Sequence, residues 1–400
     1  MISFDEARAL VLSKVETLGS DRVSLDQAIG RVLAMPVLAR APFPPFSASA
    51  MDGYAIATSS FDGSGPWTLE VVGESRMGAL PPPLLARTAC RIFTGAALPS
   101  RADAVIMQED AVRDGDRVTF RAPPRPGAHV RHAGEDLGAG DVALRPGTRL
   151  GPFHLALAAS LDHPELVVAR RPRVTIVCTG DELRTPGEPV RPGTIAECNS
   201  IGLRTLAEQA GASVRVAPIV PDDRQAARSS IEEALSEADV LITVGGVSVG
   251  DHDVVRPALE EAGVRLEFWK VAIKPGKPLA LGRAGSTRVL SLPGNPASSM
   301  VTFSLFGLPL LRAMQGDDRP VPVTLRAPLA ASITRSPGRL EFMRAKLVTI
   351  EGQLAVQTLP NQASGAVTSM AWADALAIIS PEATSVPRGE MVGVLKLADA

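Results

Sequence analysis

The chain has 400 residues with a net charge of −2, and 45% of it is hydrophobic, which supplies several cores and points to two to four domains. The near-neutral balance gives no overall field to favour nucleic acid or an anionic membrane, and an aromatic content of 4% with a single tyrosine, Tyr54, argues against a stacking platform for single strands. The three cysteines form no C-x-x-C pair and the five histidines no zinc spacing, so both read as incidental, in a reducing compartment. No apolar run approaches bilayer length, and the start shows no signal-peptide pattern; the expectation is a cytoplasmic protein.

In chain order, Ser3 and Glu6 have capping-box spacing ahead of Ala7, Leu10 and Val11, which predicts a first helix. Ser24 and Gln27 repeat the signal for a short second helix closed by Gly30. Prolines at 42, 44 and 45 then break the chain, and strand-like runs follow at 67–72, 89–93, 104–107 and 117–120. A helix beginning with Pro152 is expected next, placed to rejoin the N-terminal helices and make the β-rich stretch an insertion.

From about 173 the texture alternates. Short apolar runs at 174–178, 240–244 and 289–292 are separated by helical patterns such as Leu203, Leu206, Ala207 and Ala210, ended by Gly211, and Val255, Ala258, Leu259 and Ala262, ended by Gly263. Alternating strands and helices imply right-handed βαβ units and a mainly parallel sheet. Short strands such as 340–347 and 392–397 then suggest a small β-barrel or sandwich. The expected division is 1–44 with 141–172 as an N-terminal helical and linker domain, 45–140 as an inserted β-rich module, 173–318 as a three-layer α/β domain and 319–400 as a C-terminal β-barrel: α/β plus β, multidomain.

Ligands of open parallel sheets bind beyond the carboxyl ends of the strands. Three loops occupy such places: Thr179-Gly180-Asp181-Glu182, the glycine-rich stretch from Gly245 and Gly246 through Ser248 and Gly250 to Asp253, and Pro293-Gly294-Asn295-Pro296. Glycines let backbone N–H groups approach a phosphate closely. None is a Walker A or G-x-G-x-x-G loop. Between the second and third loops lies the segment 268–278, which holds three of the six lysines of the chain, Lys270, Lys274 and Lys277, while arginine dominates elsewhere. Lysine is a compact, strongly hydrated point charge, and the intervening prolines and glycine stiffen the segment; a compact anion is the expected ligand. The acids Glu182, Asp222 and Asp253 suit Mg²⁺ held against phosphate oxygens, although Asp253 at a helix start also suits an N-cap.

Taken together, the segments SAMDGYA (49–55), TG (94–95) with DAVIMQE (103–109), GED (134–136), TGDEL (179–183), GGVSVGDHD (245–253), FWKVAIKPGKP (268–278), LPGNP (292–296) and RLEFMRA (339–345) resemble the molybdopterin molybdenumtransferase family, MoeA, with the gephyrin E domain and its plant counterpart as relatives. The resemblance implies an elongated four-domain homodimer with a MogA-like α/β domain, a cleft completed by the partner's β module, and a pterin substrate. The implied reaction inserts molybdate into adenylylated molybdopterin, gives molybdenum cofactor and AMP, and requires divalent metal, Mg²⁺. Partner proteins implied are the molybdopterin adenylyltransferase and molybdoenzyme-delivery proteins, without nucleic acid or membrane.

Carried over, the functional positions are Asp52, Thr94 and Asp136 from the N-terminal modules, and Glu182, Asp222, Asp253, Lys270, Lys274, Pro293 and Pro296 from the α/β domain. In the plant relative molybdate is held by positions resembling Lys274, Lys277, Ser298 and Arg339. Thr179, Gly180, Gly245, Gly246, Ser248, Gly250, Gly294 and Asn295 would bind the pterin nucleotide. Two departures stand out: Cys198 where Ser or Thr is usual before Asn199, and Ala373-Asp374-Ala375-Leu376 in place of Ala-Asn-Gly-Leu. Molybdopterin adenylyltransferase and a non-catalytic scaffold of the gephyrin E type remain as alternatives.

Overall fold

A computed structural model describes residues 1–246 and 254–397. The predicted Ser248, Gly250 and Asp253 positions lie outside the described residues. By contact density the chain separates into one unit of Met1–Met35, Pro146–Gly151 and Val167 onward, and a second of Pro36–Arg145 with Pro152–Leu166.

In the first unit, the helix Phe4–Leu12 opens with the predicted capping box. Glu6 N–H donates to Ser3 Oγ at 3.2 Å, and Ser3 N–H donates to Glu6 Oε2 at 2.7 Å. Its Ala7 and Val11 are buried. The second helix, Leu25–Ala28, forms as well, but Ser24 makes no side-chain cap bond to it.

The central sheet of this unit runs Ser213–Val216, Arg173–Cys178, Val240–Val244, Thr287–Leu292, Ala280–Ala284, Arg265–Phe268. The first four strands are parallel, and the last two join antiparallel. The apolar runs are continuous rather than alternating because both faces are covered. Ile176, Ile242 and Leu290 pack on one side with Leu203, Phe303 and Leu311. Val177, Leu241 and Val289 pack on the other with Ile231 and Leu259. The helices end at Gly211 (φ +93°) and Gly263 (φ +81°), as the periodicity predicts.

One sequence expectation is corrected. The helical run Pro296–Met314 is, by length and composition, long and apolar enough to cross a bilayer, but 72% of it is buried in the protein. Its apolarity is that of a core helix covering a sheet face.

The C-terminal sheet is ordered Ile273–Lys274, Leu340–Ile350, Ala375–Ile379, Met391–Lys396, Thr324–Pro328, with Gln353–Thr358 pairing the long second strand. Its first strand therefore comes from the lysine segment, 67 residues upstream of the strand it pairs with. The pairing is parallel, with Ile273 opposite Leu340 and Lys274 opposite Glu341. Two sheets of this unit thus meet through one short stretch of chain.

The second unit is built on the sheet Ala104–Met107, Gly53–Ile56, Thr88–Ile92, Trp67–Ser75, Arg117–Phe120, Ala111–Asp114. Tyr54 packs edge-on to Phe120 with ring centroids 5.9 Å apart, in a core that includes Ile56, Leu69 and Val118. The helix Pro152–Ser160 groups with this unit by contact.

Candidate active site

Three parallel strands end side by side at one edge, and their loops touch. Thr179 N–H donates to Val244 O at 3.1 Å, and Gly245 N–H to Leu292 O at 3.3 Å. Gly245 has φ +93°, and a Cβ there would sit 2.8 Å from Thr179 O. Only glycine fits that backbone and that approach. The loop after the neighbouring strand joins as well: Gly180 N–H donates to Val220 O at 3.1 Å, and Asp222 N–H donates to Asp181 Oδ1 at 3.1 Å.

These loops enclose a cavity of about 430 Å³. Its lining includes Thr179, Gly180, Glu182, Asp222, Gly245, Gly246, Pro293, Gly294, Asn295 and Pro296. Ten predicted positions, drawn from four separate loops, are therefore brought together. Glu182 and Asp222 are both exposed, and Asp222 Oδ2 accepts from Asp181 N–H at 3.4 Å. Among the described residues no group of three or more His, Cys, Asp or Glu side chains is placed to hold a metal ion. Two carboxylates on one wall still fit Mg²⁺, which takes one or two carboxylates and fills its other places with water and phosphate oxygens.

The phosphate-cradling expectation narrows. Gly245 N–H is spent on Leu292 O, and Ala297 N–H on Ser364 O at 3.0 Å. Pro293 and Pro296 carry no N–H. Gly246, Gly294 and Asn295 remain as the candidate amide donors.

Two lining residues were not singled out from sequence. Glu197 is 5% exposed and accepts from Ser200 N–H at 2.9 Å and Ser200 Oγ at 2.5 Å. Asn199 Nδ2 donates to Gly294 O at 2.8 Å, tying the helix Asn199–Gln209 to the Pro293–Pro296 loop. The Oδ1 of Asn199 and the Oγ1 of Thr179 are buried without a partner. The available signal was Glu-x-Asn-Ser opening a helix beside a strand-end glycine loop, which drew notice only for Cys198. Burial, with Glu197 beside them, raises the thiol pKa of Cys178 and Cys198, so both are neutral rather than nucleophilic.

The lysine segment emerges at the same carboxyl edge, because Arg265–Phe268 runs parallel to Thr287–Leu292 across the intervening antiparallel strand. Pro278 lines the cavity, whereas Lys270, Lys274 and Lys277 do not. Val271 N–H donates to Lys277 O at 3.1 Å and closes the segment into a loop. Lys274 Nζ pairs with Glu341 Oε1 at 2.9 Å, an acid outside the predicted set. Arg339 Nη1 donates to Ile273 O at 2.9 Å, which brings Arg339 beside Lys274. Ser298 is 4% exposed in the helix Pro296–Thr302.

In the second unit, Asp52 and Thr94 form a pair. Thr94 N–H and Thr94 Oγ1 both donate to Asp52 Oδ1, at 2.7 and 2.8 Å. These two bonds hold the Asp52 carboxyl below its ordinary pKa. Asp136 lies in the loop after Val130–Arg131, exposed, with its N–H on Phe43 O at 3.1 Å.

Comparison with known proteins finds relatives along most of the chain. Residues 2–161 match the MoeA N-terminal region (domain I and II), 175–313 a probable molybdopterin binding domain, and 326–397 the MoeA C-terminal region (domain IV). A protein of Haemophilus influenzae named molybdopterin molybdenumtransferase is 35% identical over 98% of both chains. One of Mycobacterium tuberculosis, molybdopterin molybdenumtransferase 2, is 38% identical over 87% of this chain and 88% of its own. The molybdopterin biosynthesis MoeA protein of Pyrococcus horikoshii, a solved structure, superposes with a TM-score of 0.87 at 29% identity, over 99% of this chain and 100% of that one. The chain belongs to the MoeA family of molybdopterin molybdenumtransferases.

Proposed function

We propose that this protein inserts molybdenum into molybdopterin, with adenylylated molybdopterin and molybdate as substrates and molybdenum cofactor and AMP as products. The observation that carries the reading is the strand-end cavity, where glycine-built loops and two carboxylates share one edge with a lysine-rich loop. The N–H groups of Gly246, Gly294 and Asn295 would hold the phosphates, together with the predicted Ser248 and Gly250, while Thr179, Gly180, Pro293 and Pro296 shape the wall. Glu182 and Asp222, with Asp253, would hold Mg²⁺, which supplies positive charge against phosphate oxygens. Lys274, Lys277, Ser298 and Arg339 would bind the oxyanion, and Lys270 would stabilise charge nearby. Fixed cations in a preorganised site stabilise developing charge without reorganising. Asp52, Thr94 and Asp136 would contribute from a partner's β-rich module in a homodimer, in keeping with the four-domain division 1–44 with 141–172, 45–140, 173–318 and 319–400.

The test is incubation of purified protein, Mg²⁺ and molybdate with adenylylated molybdopterin in one arm, and with ATP and free molybdopterin in another. AMP release with cofactor formation in the first arm supports the reading. Adenylylated product in the second arm would replace it with the adenylyltransferase step. Silence in both arms would leave a scaffold. Gel filtration with light scattering tests the dimer, and pull-downs with an adenylyltransferase or a molybdoenzyme-delivery protein test those partners.

A further inference from the structure

Glu341 is a carboxylate with 3% exposure in the long strand Leu340–Ile350, and its two oxygens face different cations. Oε2 lies 2.7 Å from Arg335 Nε, as an ion pair off the hydrogen-bond axis, while Oε1 lies 2.9 Å from Lys274 Nζ. Arg335 is anchored in turn, donating to Ser380 O at 2.6 Å and to Arg339 O at 2.8 Å. Arg339 returns to Ile273 O at 2.9 Å, and the strand register sets Lys274 opposite Glu341. The circuit is closed, and it contains two of the four residues read as holding the oxyanion.

The two ion pairs are unlike. Arg335 has a side-chain exposure of 6% and already compensates the buried charge, whereas Lys274 is 48% exposed. A half-exposed ammonium gains little stability from such a pair. It does gain position: an ammonium has three donors, and Glu341 takes one from the buried side while the others face solvent. The carboxylate also offsets one of three positive charges grouped there.

We infer that Glu341 is a positioning residue and built-in counter-ion for Lys274. It fixes the ammonium and weakens its hold on a divalent oxyanion, so that the anion can be passed on. The inference rests on the reading of Lys274 as an oxyanion ligand.

Equilibrium dialysis of the full chain with molybdate alone tests it without turnover. Glu341→Gln keeps the shape and removes the charge; molybdate is expected to bind about three- to tenfold tighter at low salt, with the gain shrinking as salt rises. Glu341→Asp keeps the charge and the Arg335 pair but withdraws the carboxylate from Lys274; binding is expected to weaken about fivefold as position is lost. Affinities equal to wild type in both variants, or weaker binding by Glu341→Gln, would overturn the inference. Glu341→Asp leaves no buried charge unpaired, so it decides the matter if circular dichroism shows Glu341→Gln unfolded. Lys274→Met separates the two readings. Wild-type binding there removes the oxyanion assignment itself, whereas lost binding with indifferent Glu341 variants removes only the counter-ion role.

Discussion

The strand-end cavity and the Asp52–Thr94 pair place functional candidates by opposite means. At the cavity, position comes from backbone: three loops leave buried strands, a fourth leaves the edge strand Ser213–Val216, and they touch through amide–carbonyl bonds; Gly245 is needed because a side chain would strike Thr179 O. At Asp52, position comes from two hydrogen bonds between exposed loop residues over a sheet edge. The first arrangement is held by the core beneath it, and a small change there propagates to every loop. The second is local, and a change there stays local.

That difference orders the expected effects. Gly245→Ala should be the most damaging: a left-handed backbone position combined with a clash against a carbonyl costs about 2–4 kcal/mol, read as a lowered melting temperature, with turnover falling about a thousandfold. A melting temperature unchanged from wild type would mean that the edge is more compliant than its contacts indicate. Lys274→Ala should leave melting nearly unchanged and lower kcat/KM for molybdate about a hundredfold, the scale for losing one fixed cation or donor at a charged transition state. Glu182→Gln should raise the Mg²⁺ concentration for half-maximal rate about tenfold, since one of few carboxylate ligands is lost; an unchanged requirement would move the metal to other acids.

The smallest effect concerns the local pair. Thr94 lowers the Asp52 carboxyl pKa, so the pair is intact above the unfolded carboxylate value of about 3.9. It is lost only as pH falls through the lower folded value. Carboxyl-detected NMR should put the Asp52 midpoint below that reference, and Thr94→Val should return it upward while leaving the cavity loops undisturbed. A shift at Gly245 or Gly294 in that variant would break the contrast between the two regions.

The sequence was most legible where one chemical rule governed a short stretch. The runs 174–178, 240–244 and 289–292 became the central parallel strands because burial on both faces demands continuous apolarity, and the loops after them opened the cavity. The capping box at Ser3 formed, but its twin at Ser24 did not, although the spacing of the two is the same. What escaped reading depended on distant pairing. Glu341 lies 67 positions from Lys274, and only the parallel register between the lysine loop and the C-terminal sheet makes them neighbours. Asn199 escaped for a related reason: it ties a helix start to a loop 95 positions away. The antiparallel strands of the central sheet gave no signal either, because Arg265–Phe268 and Ala280–Ala284 are short and interrupted by charged residues or glycine.

The most direct test of molybdenum transfer is a single-turnover assay of wild-type protein loaded with adenylylated molybdopterin and given limiting molybdate. Molybdenum bound to pterin and AMP should appear together in equal amounts, and Lys274→Ala should slow both alike. AMP formed without molybdenum on the pterin, or a wild-type rate in Lys274→Ala, would contradict the proposed transfer at this site.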